Sequence, residues 1–191
     1  FEKIAGNLVA WQRQQVLETE AIHVELKGAT DKGLDGFTLR GRADRIDLLK
    51  DGRLALFDYK TGVNPNLRSM FHFKSPQLPL EAAMALRGGF GDRLARETAE
   101  IGYVRLRPTA ELQVDTIGDA TSKDPSAAEL SEEAWQRLSR MVAAYRAPDK
   151  DYRSKARQAP ERDWQDDYDH LARVKEWAIT DDQAGEACAA N

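Results

Sequence analysis

The amino-acid sequence predicts an α/β fold, a β-sheet flanked by α-helices. Two observations carry that expectation: segments of helical patterning alternate with short apolar runs of strand character, and breaks rich in Gly, Pro and Asp separate them. Length and composition agree. A chain of 191 residues suits one domain that buries about 70% of its unfolded surface. Hydrophobic residues at 41% and charged residues at 31% are ordinary for a globular fold.

The chain opens in a helix, Glu2 to Leu17, followed by a strand near Ala21 to Leu26 and a loop rich in Gly and Asp from Gly28 to Gly36. A hairpin then runs from Phe37 to Lys60, with Leu39 to Leu49 as one strand, a turn about Lys50-Asp51-Gly52, and Leu54 to Lys60 as the next. Ser75-Pro76 starts a helix that carries Leu80, Ala83 and Met84 inward and stops at Gly88-Gly89. Pro79 is the alternative first-turn residue, because a proline further inside would lose a hydrogen bond. Two strands follow, Glu100 to Leu106 and Glu111 to Ile117, then a loop from Gly118 to Pro125. Ser131-Glu132-Glu133 caps a long helix to about Arg146, in which Trp135, Leu138, Val142 and Tyr145 are spaced for one buried face; Pro148 ends it. A charged, irregular stretch leads to Asp163, a last helix runs from about Tyr168 to Ala178, and 179–191 read as a disordered tail.

Chemistry concentrates in the hairpin. Gly41-Arg42-Ala43-Asp44-Arg45-Ile46-Asp47 lies on its first strand, and Phe57-Asp58-Tyr59-Lys60-Thr61-Gly62 ends its second. Side chains alternate along a strand, so Asp58 and Lys60 share a face. Charged groups at the end of an apolar strand are costly to bury unless paired or bound to a metal. The turn decides whether Asp44 joins them. A two-residue loop, Asp51-Gly52, makes Lys50 face Arg53, sets Asp44 opposite Tyr59 and leaves the two carboxylates on opposite faces. A three-residue loop, Lys50-Asp51-Gly52 with Gly52 left-handed, makes Leu49 face Arg53 and puts Asp44 across from Asp58, with Cβ atoms about 4.5–5.5 Å apart. The second arrangement, in which both carboxylates can hold one divalent cation, is the expectation. Asp47 then faces away from Asp44 and is structural.

Gly-x-x-Asp followed after a short gap by Asp-x-Lys at a strand end resembles the PD-(D/E)XK nuclease superfamily, and Asp58-Tyr59-Lys60-Thr61-Gly62 resembles the second motif of its RecB-like branch. Gln77 matches the glutamine of the Gln-x-x-x-Tyr helix motif of that branch, with Glu81 standing where the tyrosine is usual. The segment Tyr168-Asp169-His170-Leu171-Ala172-Arg173-Val174-Lys175-Glu176-Trp177 looks like the C-terminal end of AddB-type subunits of the AddAB helicase-nuclease, of the alphaproteobacterial kind. The likeness spans most of residues 20–177, and 119–131 contribute nothing specific.

The resemblance implies a restriction-endonuclease-like core over residues 1–178, with a mixed central β-sheet flanked by α-helices. It implies a Mg²⁺-dependent DNA nuclease of exonuclease type, part of a helicase-nuclease subunit acting in double-strand break repair by recombination. Asp44, Asp58, Lys60 and Gln77 are the implied catalytic residues. Asp44, Asp58, the backbone carbonyl of Tyr59 and an upstream acid at the start of the first strand would hold Mg²⁺ or Mn²⁺, the metals that oxygen ligands favour. Glu20 is the best match for that acid, with Glu18 and Glu25 as competitors. Lys60, flanked by carboxylates, is assigned to orienting the water and neutralising charge on the phosphate. Gln77 positions the lysine or the water, and Glu81 stays open between the site and a solvated helix face. An AddA-type subunit is the implied partner, in the cytoplasm and away from the membrane.

A formal net charge of −4 and a pI near 5.5 give no global attraction for a polyanion, so any grip on DNA is local or borrowed. Arg42, Arg45 and Lys74 beside the motifs are the candidate DNA contacts, with Arg40 and Arg68 nearby. Lys150, Arg153, Lys155, Arg157 and Arg162 form a second basic group, diluted by Asp149, Asp151 and Glu161. The one cysteine, Cys188, excludes an intramolecular disulfide, a zinc knuckle or an iron–sulfur cluster held within this chain, and a reducing compartment is the simplest inference. His23, His72 and His170 read as packed or solvated side chains. The chain begins inside a helix with no initiator methionine, so the expectation is a C-terminal piece of a longer protein that cleaves DNA poorly by itself. The competing reading is a nuclease-fold module that binds DNA ends or a helicase partner without cutting.

Overall fold

A computed structural model describes residues 2–61, 67–107, 112–148 and 150. Helix α1 (Glu2–Glu18) runs into strand β1 (Thr19–Thr30), and the hairpin supplies β2 (Leu39–Leu49) and β3 (Leu54–Lys60). Helices α2 (Leu67–Phe71) and α3 (Gln77–Leu86) lead to β4 (Thr98–Arg105) and β5 (Gln113–Ile117), and α4 (Ala127–Arg146) follows. The five strands form one sheet in sequence order, with β3 and β4 parallel and every other neighbouring pair antiparallel. This mixed sheet flanked by helices is the expected α/β, restriction-endonuclease-like arrangement.

Strand parity divides the core. Ile46, Leu48, Leu54 and Leu56 join Ile101, Tyr103 and the α3 residues Leu78, Ala82, Met84 and Ala85 in one apolar cluster. Ala55, Phe57 and Val104 gather in another, against Leu8 and Trp11 of α1. Full burial of such large aliphatic and aromatic side chains contributes about 1.5–3 kcal/mol each, so both sheet faces are strongly specified.

Helix α3 begins at Gln77 after Pro76, and the Leu80 N–H reaches the Pro76 carbonyl at 3.0 Å. Pro79 therefore lies in the first turn, where its missing N–H costs nothing. The helix stops as expected at the glycine pair: Gly88 has φ +78°, and the Gly88 and Gly89 N–H groups return to the carbonyls of Ala85 and Met84 at 2.8 and 2.9 Å.

Helix α4 starts at Ala127 and not at Ser131. Its cap is Ser126-x-x-Glu129: Ser126 Oγ accepts the Glu129 N–H at 3.1 Å, and Glu129 Oε2 accepts the Ser126 N–H at 2.8 Å. Ser131, which with its following acids resembled a cap, is buried inside the helix and donates to the Ala127 carbonyl at 2.6 Å. Strand β1 likewise runs on to Thr30, through part of the expected loop, because its far half pairs with β2 as far as Thr30 with Leu39.

Contacts gather Phe1–Arg146 into one unit and Ala147–Asn191 into a second. The expected last helix from Tyr168, the tail, and the basic residues Arg153, Lys155, Arg157 and Arg162 lie outside the described residues.

Beneath α1 sits a buried ion pair. Arg45 Nε and Nη2 donate to the two oxygens of Asp47 at 2.7 Å each, with the side chains 1% and 0% exposed. The guanidinium also lies 4.9 Å from the Trp11 ring centre and donates to Tyr59 Oη at 3.3 Å. Arg45 is thus not a DNA contact, a correction that strand alternation explains: it follows Asp44 and must point to the opposite face. Asp47 is structural, as its parity suggested. Removing Asp47 strands a buried guanidinium, so Asp47→Ala should cost about 3–5 kcal/mol in urea unfolding. Arg42→Ala, which breaks the exposed Arg42–Glu25 pair at 2.9 Å, should cost less than about 1 kcal/mol.

Candidate active site

Asp44 and Asp58 owe their meeting to the hairpin loop. Leu49 donates its N–H to the Arg53 carbonyl at 2.8 Å, Gly52 donates to the Leu49 carbonyl at 2.9 Å, and Gly52 has φ +85°. The loop is therefore Lys50-Asp51-Gly52, with the residue lacking a Cβ in the left-handed conformation. The register that follows pairs Leu48 with Leu54, Ile46 with Leu56 and Arg45 with Phe57. Continued by one residue, it sets Asp44 across from Asp58. There Asp44 Oδ2 accepts the Tyr59 N–H at 3.0 Å, so a carboxylate of β2 bonds the backbone of β3.

Asp58 is 2% exposed. Lys60 Nζ lies 2.6 Å from its Oδ2, and Gln77 Nε2 donates to its Oδ1 at 3.0 Å. Oδ2 is buried, and the Lys60 ammonium is the cation that faces it. Burial pushes the Asp58 carboxyl up and the Asp44 charge adds to it; the Lys60 ammonium and the Gln77 hydrogen bond pull it back without cancelling the rise. Gln77 Nε2 donates as well to Glu81 Oε1 at 3.1 Å. Glu81 is buried, and this raises its carboxyl to about 7, with the Asp58 and Asp44 charges adding to the effect. Tyr103, paired with Asp58 across the parallel β3–β4 ladder, places its ring centre 5.8 Å from Lys60 Nζ; burial, then Asp58 and Glu81, push its phenol up to about 12.

A model of the PD-(D/E)XK nuclease superfamily matches residues 1–181. This chain belongs to that superfamily. It is 32% identical over 108 residues to an uncharacterized protein of Rickettsia felis, a match covering 54% of this chain and 12% of that protein. Two further uncharacterized Rickettsia proteins match: that of Rickettsia bellii at 36% over 73 residues, 37% of this chain and 9% of its own length, and that of Rickettsia typhi at 37% over 89 residues, 44% and 10%. The chain therefore spans about a tenth of the relatives it matches.

Of the residues singled out for a PD-(D/E)XK site, the structure brings together Asp44, Asp58, Lys60 and Gln77, with Tyr59 between two of them. Glu20 is elsewhere. Its carboxylate pairs with Arg93 at 3.1 Å, and its neighbour Thr19 is aligned with Leu49 at the hairpin-loop end of β2. Five residues separate Leu49 from Asp44, roughly 17 Å of strand, so Glu20 does not join a shared metal site. Glu18 lies at the same end, where its carbonyl accepts the Lys50 N–H at 2.9 Å. Glu25 is flanked by the pairs Val24–Arg45 and Leu26–Ala43, which puts it beside Asp44, but its backbone is left-handed at φ +52° and its carboxylate is engaged by Arg42. Arg42 and Lys74 are exposed. Gly62, the last residue of the second motif, lies outside the described residues.

Glu81 and Tyr103 are the site neighbours that sequence reasoning left open or missed. Glu81 had a signal, since it stands one helical turn from Gln77. Tyr103 had none, because the β3–β4 register is set by a connection of nearly forty residues, a span read off the strand bounds. No three His, Cys, Asp or Glu side chains form a metal cage among the described residues, and no described helix is long and apolar enough to cross a membrane.

Folded Glu81 keeps its proton to about pH 7, whereas the ordinary value is 4.5. The neutral carboxyl therefore contributes stability that is complete below the unfolded value and lost as pH rises through the folded one. In chelating buffer Glu81→Gln should flatten this slope, gaining on the order of 2–3 kcal/mol over the parent protein at pH 8 relative to pH 4, read from urea unfolding at both pH values.

Proposed function

We propose that this chain is the catalytic domain of a divalent-metal-dependent DNA nuclease, with Asp44, Asp58, Lys60 and Gln77 as its catalytic residues. One observation carries the reading: the hairpin register turns Asp44 and Asp58 to one face, where Asp58 holds both Lys60 and Gln77. The donor set fits the Mg²⁺ or Mn²⁺ that PD-(D/E)XK nucleases use, being all oxygen, with the Asp44 and Asp58 carboxylates brought to one face by the hairpin register. Asp44, Asp58 and the Tyr59 carbonyl would hold the ion, whose charge offsets that of the phosphate.

The chain's own groups supply the rest. Tyr59 fixes Asp44 through its N–H, so one ligand is oriented by the backbone next to the other. Lys60 sits half-buried against Asp58, where its ammonium neutralises charge that develops on a phosphate oxygen. Tyr103 beneath it stays protonated and contributes a ring face to the cation. Arg42 and Lys74, both exposed and close in sequence to Asp44 and Gln77, are the proposed phosphate-backbone contacts.

We also propose an exonuclease acting within a helicase-nuclease subunit in recombinational break repair, beside an AddA-type partner in the cytoplasm. The motif resemblance supports this, as does the chain's small share of its long relatives. The convergence of Asp44, Asp58, Lys60 and Gln77, two carboxylates with a cation and an amide, supports cutting over mere binding.

In the full-length protein, Asp58→Ala and Lys60→Ala should each lower Mg²⁺-dependent cleavage of labelled single-stranded DNA by about 100-fold or more, while melting stays near that of the parent protein. Chelation should stop the parent reaction and Mg²⁺ restore it. Undiminished cleavage by either folded variant, with any partner nuclease disabled, would place the chemistry elsewhere.

A further inference from the structure

Gln77 is exposed, and its amide nitrogen reaches inward to two acids at once, Asp58 Oδ1 at 3.0 Å and Glu81 Oε1 at 3.1 Å. A primary amide has two N–H donors on its nitrogen and an acceptor on its oxygen. Both donors are spent, one on each acid. What remains for anything entering the site is the Gln77 carbonyl oxygen. Turning the amide over would set that oxygen against the Asp58 carboxylate, acceptor against acceptor, so the orientation observed is the one in which Asp58 and Glu81 both receive an N–H.

Glu81 is the part of this arrangement with no other evident task. It is 8% exposed, one turn along α3 from Gln77, and placed to hold the amide from beneath. Its Oε1 accepts from the amide whether the carboxyl is ionised or neutral. In the structure Glu81 accepts from the amide nitrogen and leaves the Gln77 oxygen unengaged by it.

We propose that Glu81 is a positioning residue that acts through Gln77, fixing the amide so that its oxygen accepts a hydrogen bond from the attacking water and its nitrogen is withheld from the phosphate. This deepens the nuclease reading and rests on it. It assigns Gln77 to the nucleophile's side of the reaction: an acceptor is matched to the O–H of water and mismatched to an anionic phosphate oxygen.

The test combines a double-mutant cycle with a spectroscopic readout. With Mg²⁺ and single-stranded DNA, Gln77→Leu and Glu81→Leu should each lower kcat by about 10–100-fold with KM nearly unchanged. The double variant should fall no further than Gln77→Leu alone. Glu81→Gln, which keeps an acceptor oxygen and serves also if Glu81→Leu does not fold, should retain most of the rate. Multiplicative losses in the double variant, or a rise in KM in place of the kcat loss, would overturn the proposal. Independently of activity, the Gln77 side-chain amide protons should resonate away from those of free glutamine, and one of them should return to the free position in Glu81→Leu. Free-glutamine shifts in the parent protein would overturn the proposal. An inactive parent protein with a restrained Gln77 amide would instead count against the nuclease reading.

Discussion

The register of the β2–β3 hairpin is the constraint on which the rest of the site depends. A strand has a period of two, so a loop shorter by one residue would send Asp44 to the α1 face and leave Asp58 alone beside Lys60. Gly52, left-handed at φ +85°, allows the longer loop, and Leu49 bonding across to Arg53 locks it. What β2 brings to the site follows from that parity. Asp44 reaches the Tyr59 backbone, Asp58 reaches Lys60 and Gln77, and Arg45 and Asp47 are sent together to the other side.

The same hairpin thereby carries charge on both faces, and the two clusters are handled differently. Under α1 the Arg45–Asp47 pair is closed: each guanidinium fork position meets an oxygen, with Trp11 and Tyr59 completing the surroundings. Such a pair is neutral overall and contributes geometry more than net stability. On the α3 face the acids outnumber the cation. Burial pushes both Asp58 and Glu81 up, and the neighbouring acid charges add to it, with one lysine and one amide set against three carboxyls. Carboxyls perturbed together in this way mark a candidate functional site.

The contrast between what the chain announced and what it concealed is a matter of range. Short-range chemistry was legible: the hairpin, the glycine stop at Gly88-Gly89, the mixed α/β arrangement through the family motif, and the convergence of Asp44, Asp58, Lys60 and Gln77. The start of α4 was misread because two serines followed by acids compete within a few residues, and the one that caps is the one whose glutamate closes back on it. Arg45 was misread for want of applying to it the alternation already applied to Asp44. Glu20 was misread because proximity to a motif in sequence says nothing about which end of a long strand faces the site.

By itself the sequence determined the hairpin, the identity of its charged groups and the two parities its turn allows, since a strand's period and a glycine's freedom at positive φ are local properties; the structure selected the three-residue loop. The tertiary structure alone decided which partners those groups meet. The parallel β3–β4 ladder brings Tyr103 under Lys60, and the packing of α3 on the sheet turns Glu81 from a solvated helix position into a buried carboxyl beneath Gln77. Burial and charge density depend on surfaces contributed by distant segments, and no window of neighbouring residues contains them.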